Sequence, residues 1–185
     1  MTASQPQDPS ASLAVPMRLV PAGPEHAHLW LRWRDERAAQ RFNPLDTMTL
    51  GDLRRRLDGW DGRLSDRRRD EYRWLILHGE EPVGTAALMK PSWRMGYGEI
   101  GYLISEPYQA RGLGTRAVRL LTTHLFAETA LRRLQALVSV ENVASQRLLE
   151  RLGYAYEGTL RQHFVIQGHP VDEKVYAMLR ADWRG

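Results

Sequence analysis

Residues 99–121, EIGYLISEPYQARGLGTRAVRLL, decide how the rest of the chain is read. The first part is an apolar run with the character of a strand. The last part sets Ala117, Val118 and Leu121 at helical spacing, continued by Leu125. Between them Gly112 and Gly114 sit one residue apart, where strand gives way to helix. Such a turn leaves several main-chain N–H groups unpaired and pointing one way, and together with the helix dipole they form an anion site. Arg111 and Arg116 add positive charge beside it, and phosphate is the natural occupant.

Two nucleotide motifs fit poorly. A P-loop needs four residues between its glycines and then Lys with Ser or Thr, whereas Gly114 is followed by Thr115 and Arg116. Gly112, Gly114 and Ala117 do satisfy a G-x-G-x-x-A spacing, but that fingerprint opens a parallel βαβ unit and this one follows a hairpin. On this stretch alone, a tight turn that binds nothing stays open.

Working outward, residues 72–78 and 82–90 flank GEE as a hairpin, and residues 97–105 form a third strand. After the helix over residues 112–129 come a buried strand (LQALVSV), a short helix (NVASQRLLERLG) stopped by Gly153, and two closing strands. Upstream, residues 17–23 read as a strand. A helix starting at Pro24 runs to about Gln40, and a second follows Thr49 and Asp52, which resemble an N-cap and a first-turn acid. The alternation indicates a mixed α/β sheet behind two front helices, in one domain over residues 17–185. Residues 1–16 read as a disordered tail rather than a signal peptide.

Composition narrows the class. The chain has 185 residues, 43% hydrophobic and 26% charged, which suits one ordinary globular domain. No apolar run reaches the roughly 18 residues of a bilayer span, so no membrane role is expected and the cytoplasm is the expected location. Cysteine is absent, which excludes disulfides, thiolate zinc sites and a cysteine nucleophile. The six histidines share no ligand spacing, so no metal site is expected. A net charge of +4 suits an anionic ligand without choosing one. Acids interleave with the arginines over residues 54–73, which reads as a solvated ion-pair surface rather than a nucleic-acid footprint.

The turn YQARGLGTRAV resembles the acyl-coenzyme-A loop of the GNAT N-acetyltransferases, pattern [Q/R]-x-x-G-x-[G/A], with Gln109, Gly112 and Gly114 in its fixed places. VENVASQRLLERLGYAYEG is similar to the family's second motif through Asn142, Ser145, Leu148, Leu149, Gly153 and Tyr154. The two stand in the family's order, and the likeness extends over residues 17–183. It implies a splayed, mostly antiparallel sheet of about seven strands with helices on both faces. Acyl-CoA would enter between the fourth and fifth strands, with its diphosphate on Arg111, Gly112, Leu113, Gly114, Thr115 and Arg116. Its pantetheine arm would run beside Leu103, Ile104 and Ser105, with Asn142 nearby.

Acetyl transfer to an amine needs a base for the amine proton and a proton for the departing thiolate. The resemblance implies Glu99 as the base, acting through water, and Ser145 as the donor. Many family members place a Tyr seven residues after the Asn, where this chain has Leu149; Tyr102, Tyr108 and Tyr154 are alternative donors. That departure points to the subgroup resembling ribosomal-protein N-terminal acetyltransferases. The oxyanion would be held by main chain near Ile104, with direct attack in a ternary complex.

The acceptor pocket is expected among Trp30, Trp33, Arg41, Phe42, Asn43, Trp93, Arg94 and His163, with core packing the leading alternative for the tryptophans. A protein or peptide N-terminal α-amine, a polyamine, an aminoglycoside and an amino acid all remain open as acceptors. So do a monomer and a homodimer. Two other classes are a sensor that binds acyl-CoA without transferring it and an RNA-binding protein; direct nucleic-acid contact is not expected.

Overall fold

The computed structural model describes residues 15–185, so most of the expected tail lies outside the described residues. The chain forms β1 (Met17–Pro21), a 3-10 turn (Pro24–His26), α1 (Ala27–Arg34), α2 (Arg37–Phe42) and α3 (Leu50–Leu57). The hairpin β2 (Glu71–His78) and β3 (Glu81–Ser92) leads to β4 (Tyr97–Ile104), then α4 (Leu113–Glu128) and β5 (Arg133–Ser139). Last come α5 (Val143–Arg151), β6 (Ala155–Ile166) and β7 (His169–Leu179).

These strands make one seven-stranded sheet, in the order β1-β2-β3-β4-β5-β7-β6. Every neighbouring pair is antiparallel except β4 with β5. The expected mixed α/β sheet is therefore present. Alternation along β2 explains its two coverings: Tyr72, Trp74 and Ile76 join the core that holds α4, while Leu75 joins the core under α1 and α3. Helix α4 buries Leu113, Ala117, Val118, Leu121, Leu125 and Phe126, the spacing that marked it in the sequence. Among the described residues no helix is long and apolar enough to cross a membrane.

The front of the molecule differs from the continuous helix expected from Pro24 to Gln40. The chain leaves helix at Glu36, whose backbone is extended at φ −66° and ψ 145°. The cause is tertiary. Out of the helix, the Glu36 carboxylate accepts from Ser105 Oγ at 2.5 Å and from the Glu106 amide at 2.9 Å. Glu106 reciprocates, accepting from the Ala38 amide at 2.9 Å at the start of α2. Helix α3 begins where the sequence indicates, with Asp52 and Thr49 exchanging main-chain and side-chain bonds.

Candidate active site

The parallel pairing of β4 and β5 lasts three rungs: Tyr97 with Arg133, Gly98 with Leu134 and Glu99 with Gln135. Beyond Glu99 the strands part, and β5 continues with β7 alone as far as Ser139. Two cavities occupy the opening.

The larger, about 570 Å³, runs from Tyr102, Leu103 and Ile104 to the turn before α4, where Gln109, Gly112, Gly114 and Thr115 line it. Asn142, Ser145, Arg147 and Arg151 of the α5 region form its far wall. Gly112 is the N-cap of α4, with φ 75°, and a Cβ there would meet open space. Its glycine answers to backbone conformation rather than crowding. Gly114 answers to packing: a Cβ would lie 2.9 Å from Leu148 Cδ1. The first N–H groups of α4 have no partner within the helix, and Gly112, Gly114 and Thr115 there line this cavity.

The smaller cavity, about 370 Å³, is lined by β4 from Glu99 to Leu103 and by Trp30, Arg34, Ala39 and Phe42 of α1 and α2. Glu99 and Glu173 line one part, and Arg34, Arg56 and Arg73 another. Both cavities share Phe42, Asn43, Tyr102, Asn142 and Ser145. At this junction Tyr102 Oη and Ser145 Oγ are 2.6 Å apart. Asn142 Oδ1 accepts from the Ser145 amide at 3.1 Å, which fixes the first turn of α5 and aims the hydroxyl. Burial pushes the Tyr102 phenol up to about 12, so it stays protonated at neutral pH.

Burial is also the main cause that raises the Glu99 pKa, offset in part by Lys90, a Gln135 hydrogen bond and His163. Glu173, 2% exposed, is raised first by burial. His163 Nδ1, 2.8 Å from its Oε2, opposes that rise, and the Glu99 charge adds to it. Two carboxylates with raised pKa values thus line this cavity, one of them bonded to a histidine.

The residues singled out in the sequence fall as follows. Ile104, Gln109, Gly112, Gly114 and Thr115 line the larger cavity, Glu99 the smaller, and Leu103, Asn142, Ser145, Phe42 and Asn43 both. Ser105 is buried against Glu36, and Leu113 is buried in the core. Arg111 lies over the Tyr108 ring, and Arg116 reaches the Val15 carbonyl at 2.6 Å; neither lines a cavity described here. Trp33 and Trp93 pack with the cores, and Trp30 reaches the smaller cavity under Arg73. Arg94 is exposed in the β3–β4 turn, and Arg41 pairs with Glu141 at 3.3 Å. His163 meets the site through Glu173. Tyr108 bonds Glu81, and Tyr154 is buried against Thr122.

Sequence reasoning missed Glu36, Glu173, Arg147, Arg151 and the three arginines of the smaller cavity. Glu173 left a signal: it shares one strand face with Val171 and Val175, an acid at an inward position of β7.

A family model for the acetyltransferase (GNAT) domain matches residues 17–155. The chain belongs to the GNAT acetyltransferase family. It is 31% identical over 142 residues to the "Probable N-acetyltransferase YjcK" of Bacillus subtilis (strain 168), covering 74% of this chain and 76% of that protein. The GNAT fold also aligns with spermidine N-acetyltransferase from Vibrio cholerae in complex with CoA and spermine, at TM-score 0.80 and 17% identity over 90% of this chain and 96% of that one. A third likeness is to an acetyltransferase from Salmonella typhimurium that modifies the N-terminal serine of ribosomal protein L7/L12. There the TM-score is 0.76 and identity 22%, over 90% and 95% of the two chains. Membership makes this GNAT chain an N-acetyltransferase that takes its acetyl group from acetyl-CoA. The parted strands, the amides at the α4 start, and Arg147 and Arg151 suit a phosphate-bearing thioester.

Proposed function

We propose that this acetyltransferase modifies the α-amine of a protein or peptide N-terminus, with donor and acceptor bound together. The carrying observation is the junction of the two cavities at Tyr102 and Ser145: a thioester in the larger cavity and an amine in the smaller would meet there. The smaller cavity also bears on the acceptor. Arg34, Arg56, Arg73 and Lys90 stand on its wall against Asp46, Glu99 and Glu173, a poor lining for a polycation.

Acetyl-CoA supplies the thioester carbonyl. Glu99 removes the proton of the attacking amine, directly or through one water, and its raised pKa makes it a better base than an exposed glutamate. Ser145 Oγ gives its proton to the departing sulfur and regains one through the Tyr102 hydroxyl from cavity water, to which Glu99 releases the amine proton. Main chain of β4 near Ile104 supports the carbonyl oxygen as it gains charge. Nitrogen gains the acetyl group, the C–S bond breaks, and the sulfur leaves as thiol. No residue is acylated.

The test is thiol release from acetyl-CoA against N-terminal peptides, spermidine and aminoglycosides. Peptides should be acetylated at the α-amine, as mass spectrometry of the product would locate. Turnover confined to spermidine or an aminoglycoside would overturn the N-terminal reading and leave the acetyltransferase standing.

A further inference from the structure

Resting on the reading of the smaller cavity as the acceptor chamber, we infer that the preferred acceptor carries a carboxylate side chain at its second or third residue, held by Arg34, Arg56 and Arg73. Strand register places the two ends of the chamber. Glu71, Met89 and Glu99 lie on one rung across β2, β3 and β4, and Arg73, Ala87 and Gly101 on the next rung along the same face. Arg73 is therefore two strands and two residues from Glu99, roughly 12 Å between Cα atoms. The floor between them is Ala87 and Gly101, which leave a trough. A peptide with its amine at Glu99 and extended at roughly 3.3 Å per residue brings its second or third side chain to the arginines.

At the arginine end few carboxylates are bonded directly, although Asp46 and Asp35 act on Arg34 from further off. Glu71 is the carboxylate bonded there, and it is shared, by Arg56 at 2.6 Å and by Arg73. Arg34 donates to the main-chain oxygen of Asp46 at 2.5 Å; burial and then Arg56 lower its pKa, while Asp46, Asp35 and Glu71 partly oppose that. Arg73 lies over the Trp30 ring at 4.5 Å, and its buried Nε has no hydrogen-bond partner. Arg56 and Arg73 sharing Glu71, Arg34 bonded to main chain beside them, and one unused guanidinium donor make a receptor for a further anion. A second ammonium in the same place would be repelled.

The experiment measures kcat/KM for three peptides that begin Ser-Ala and carry Asp, Asn or Lys at the third position. It uses the intact enzyme and its Arg34→Gln and Arg56→Gln variants, with calorimetric coenzyme affinity to check folding; Arg73 is left alone because it is buried. We expect the Asp peptide to exceed the Asn peptide by about tenfold, the Lys peptide to be poorest, and the Asp advantage to fall to about threefold or less in either variant. Equal rates for Asp and Asn would overturn the inference, while turnover of the Asn peptide would still support the N-terminal reading. An advantage unchanged in both variants would overturn the assignment to the arginines. Spermidine turnover with no peptide turnover would overturn both.

Discussion

Glu99 and Gln135 form the last rung that joins β4 to β5, so the proposed base sits at the apex where the sheet opens. Replacing Glu99 by Gln keeps the shape and removes the base. Expected kcat falls by about 10² to 10³, with coenzyme affinity by calorimetry unchanged. Stability should move the other way. A carboxyl whose folded pKa is raised contributes stability at low pH that is lost as pH rises through that value. At pH 7 the wild type bears that cost and Glu99→Gln does not, so thermal denaturation should show a higher Tm for the variant. A lower Tm would contradict the burial argument.

The acidic limb of the rate profile should report this environment. Lys90 and His163 both hold the Glu99 pKa down against burial. Removing either side chain takes away that opposing effect and lets the Glu99 pKa rise further, so the base is protonated at higher pH. Lys90→Met and His163→Ala should each move the acidic limb of kcat/KM upward. Profiles unmoved in both variants would exclude Glu99 as the group that titrates.

Ser145 and Tyr102 should behave as one unit. Each substitution, Ser145→Ala or Tyr102→Phe, breaks the same 2.6 Å bond and the same proton path. Each is expected to lower kcat by about ten- to a hundredfold, and the double variant by little more than the worse single one. Thiol release in a four-enzyme cycle measures the coupling. Additive losses would mean the two hydroxyls act separately.

The frame was legible because its signals are local. Period 2 in β2 and period 3.6 in α4 match what each element buries, and Thr49 with Asp52 marks a helix start by their own bonds. The turn before α4 was legible from Gly112 and Gly114, although Gly112 serves conformation and Gly114 serves packing. What escaped depends on distant pieces of chain. Glu36 leaves its helix for groups 69 and 70 residues away, and Arg56 is joined to Arg73 by their shared partner Glu71. Trp33 fills the core, the fate expected for a tryptophan, although in sequence a large aromatic beside a specificity loop looks the same when it lines a pocket.

The two turn glycines should fail differently. Gly112→Ala forces a left-handed backbone on a residue with a side chain, at a cost of about 1 kcal/mol. Gly114→Val presses on Leu148 and displaces α5 from α4. Both should raise the KM for acetyl-CoA, but only the Gly114 variant should also disturb the Tyr102–Ser145 junction and lower kcat. Steady-state kinetics with varied acetyl-CoA separates the two, and matching effects on KM and kcat would refute the distinction.

Glu36 ties the roof of the larger cavity to its floor. Its carboxylate accepts two bonds from the turn after β4, while Glu106 holds the start of α2, the helix that brings Phe42 over both cavities. Glu36→Ala removes two charge-assisted bonds worth about 1.5–3 kcal/mol each and leaves the buried Ser105 hydroxyl without that acceptor. The global cost should be smaller than their sum, because α2 can detach without unfolding the sheet. Hydrogen exchange should therefore show lost protection at α2 with β4 unaffected, together with a rise of several-fold in the KM for acetyl-CoA. Gln at this position keeps the shape and one acceptor, so Glu36→Gln should recover most of the loss. Equal exchange in both elements, or a Gln variant no better than Ala, would show that Glu36 supports the whole fold instead of holding this roof.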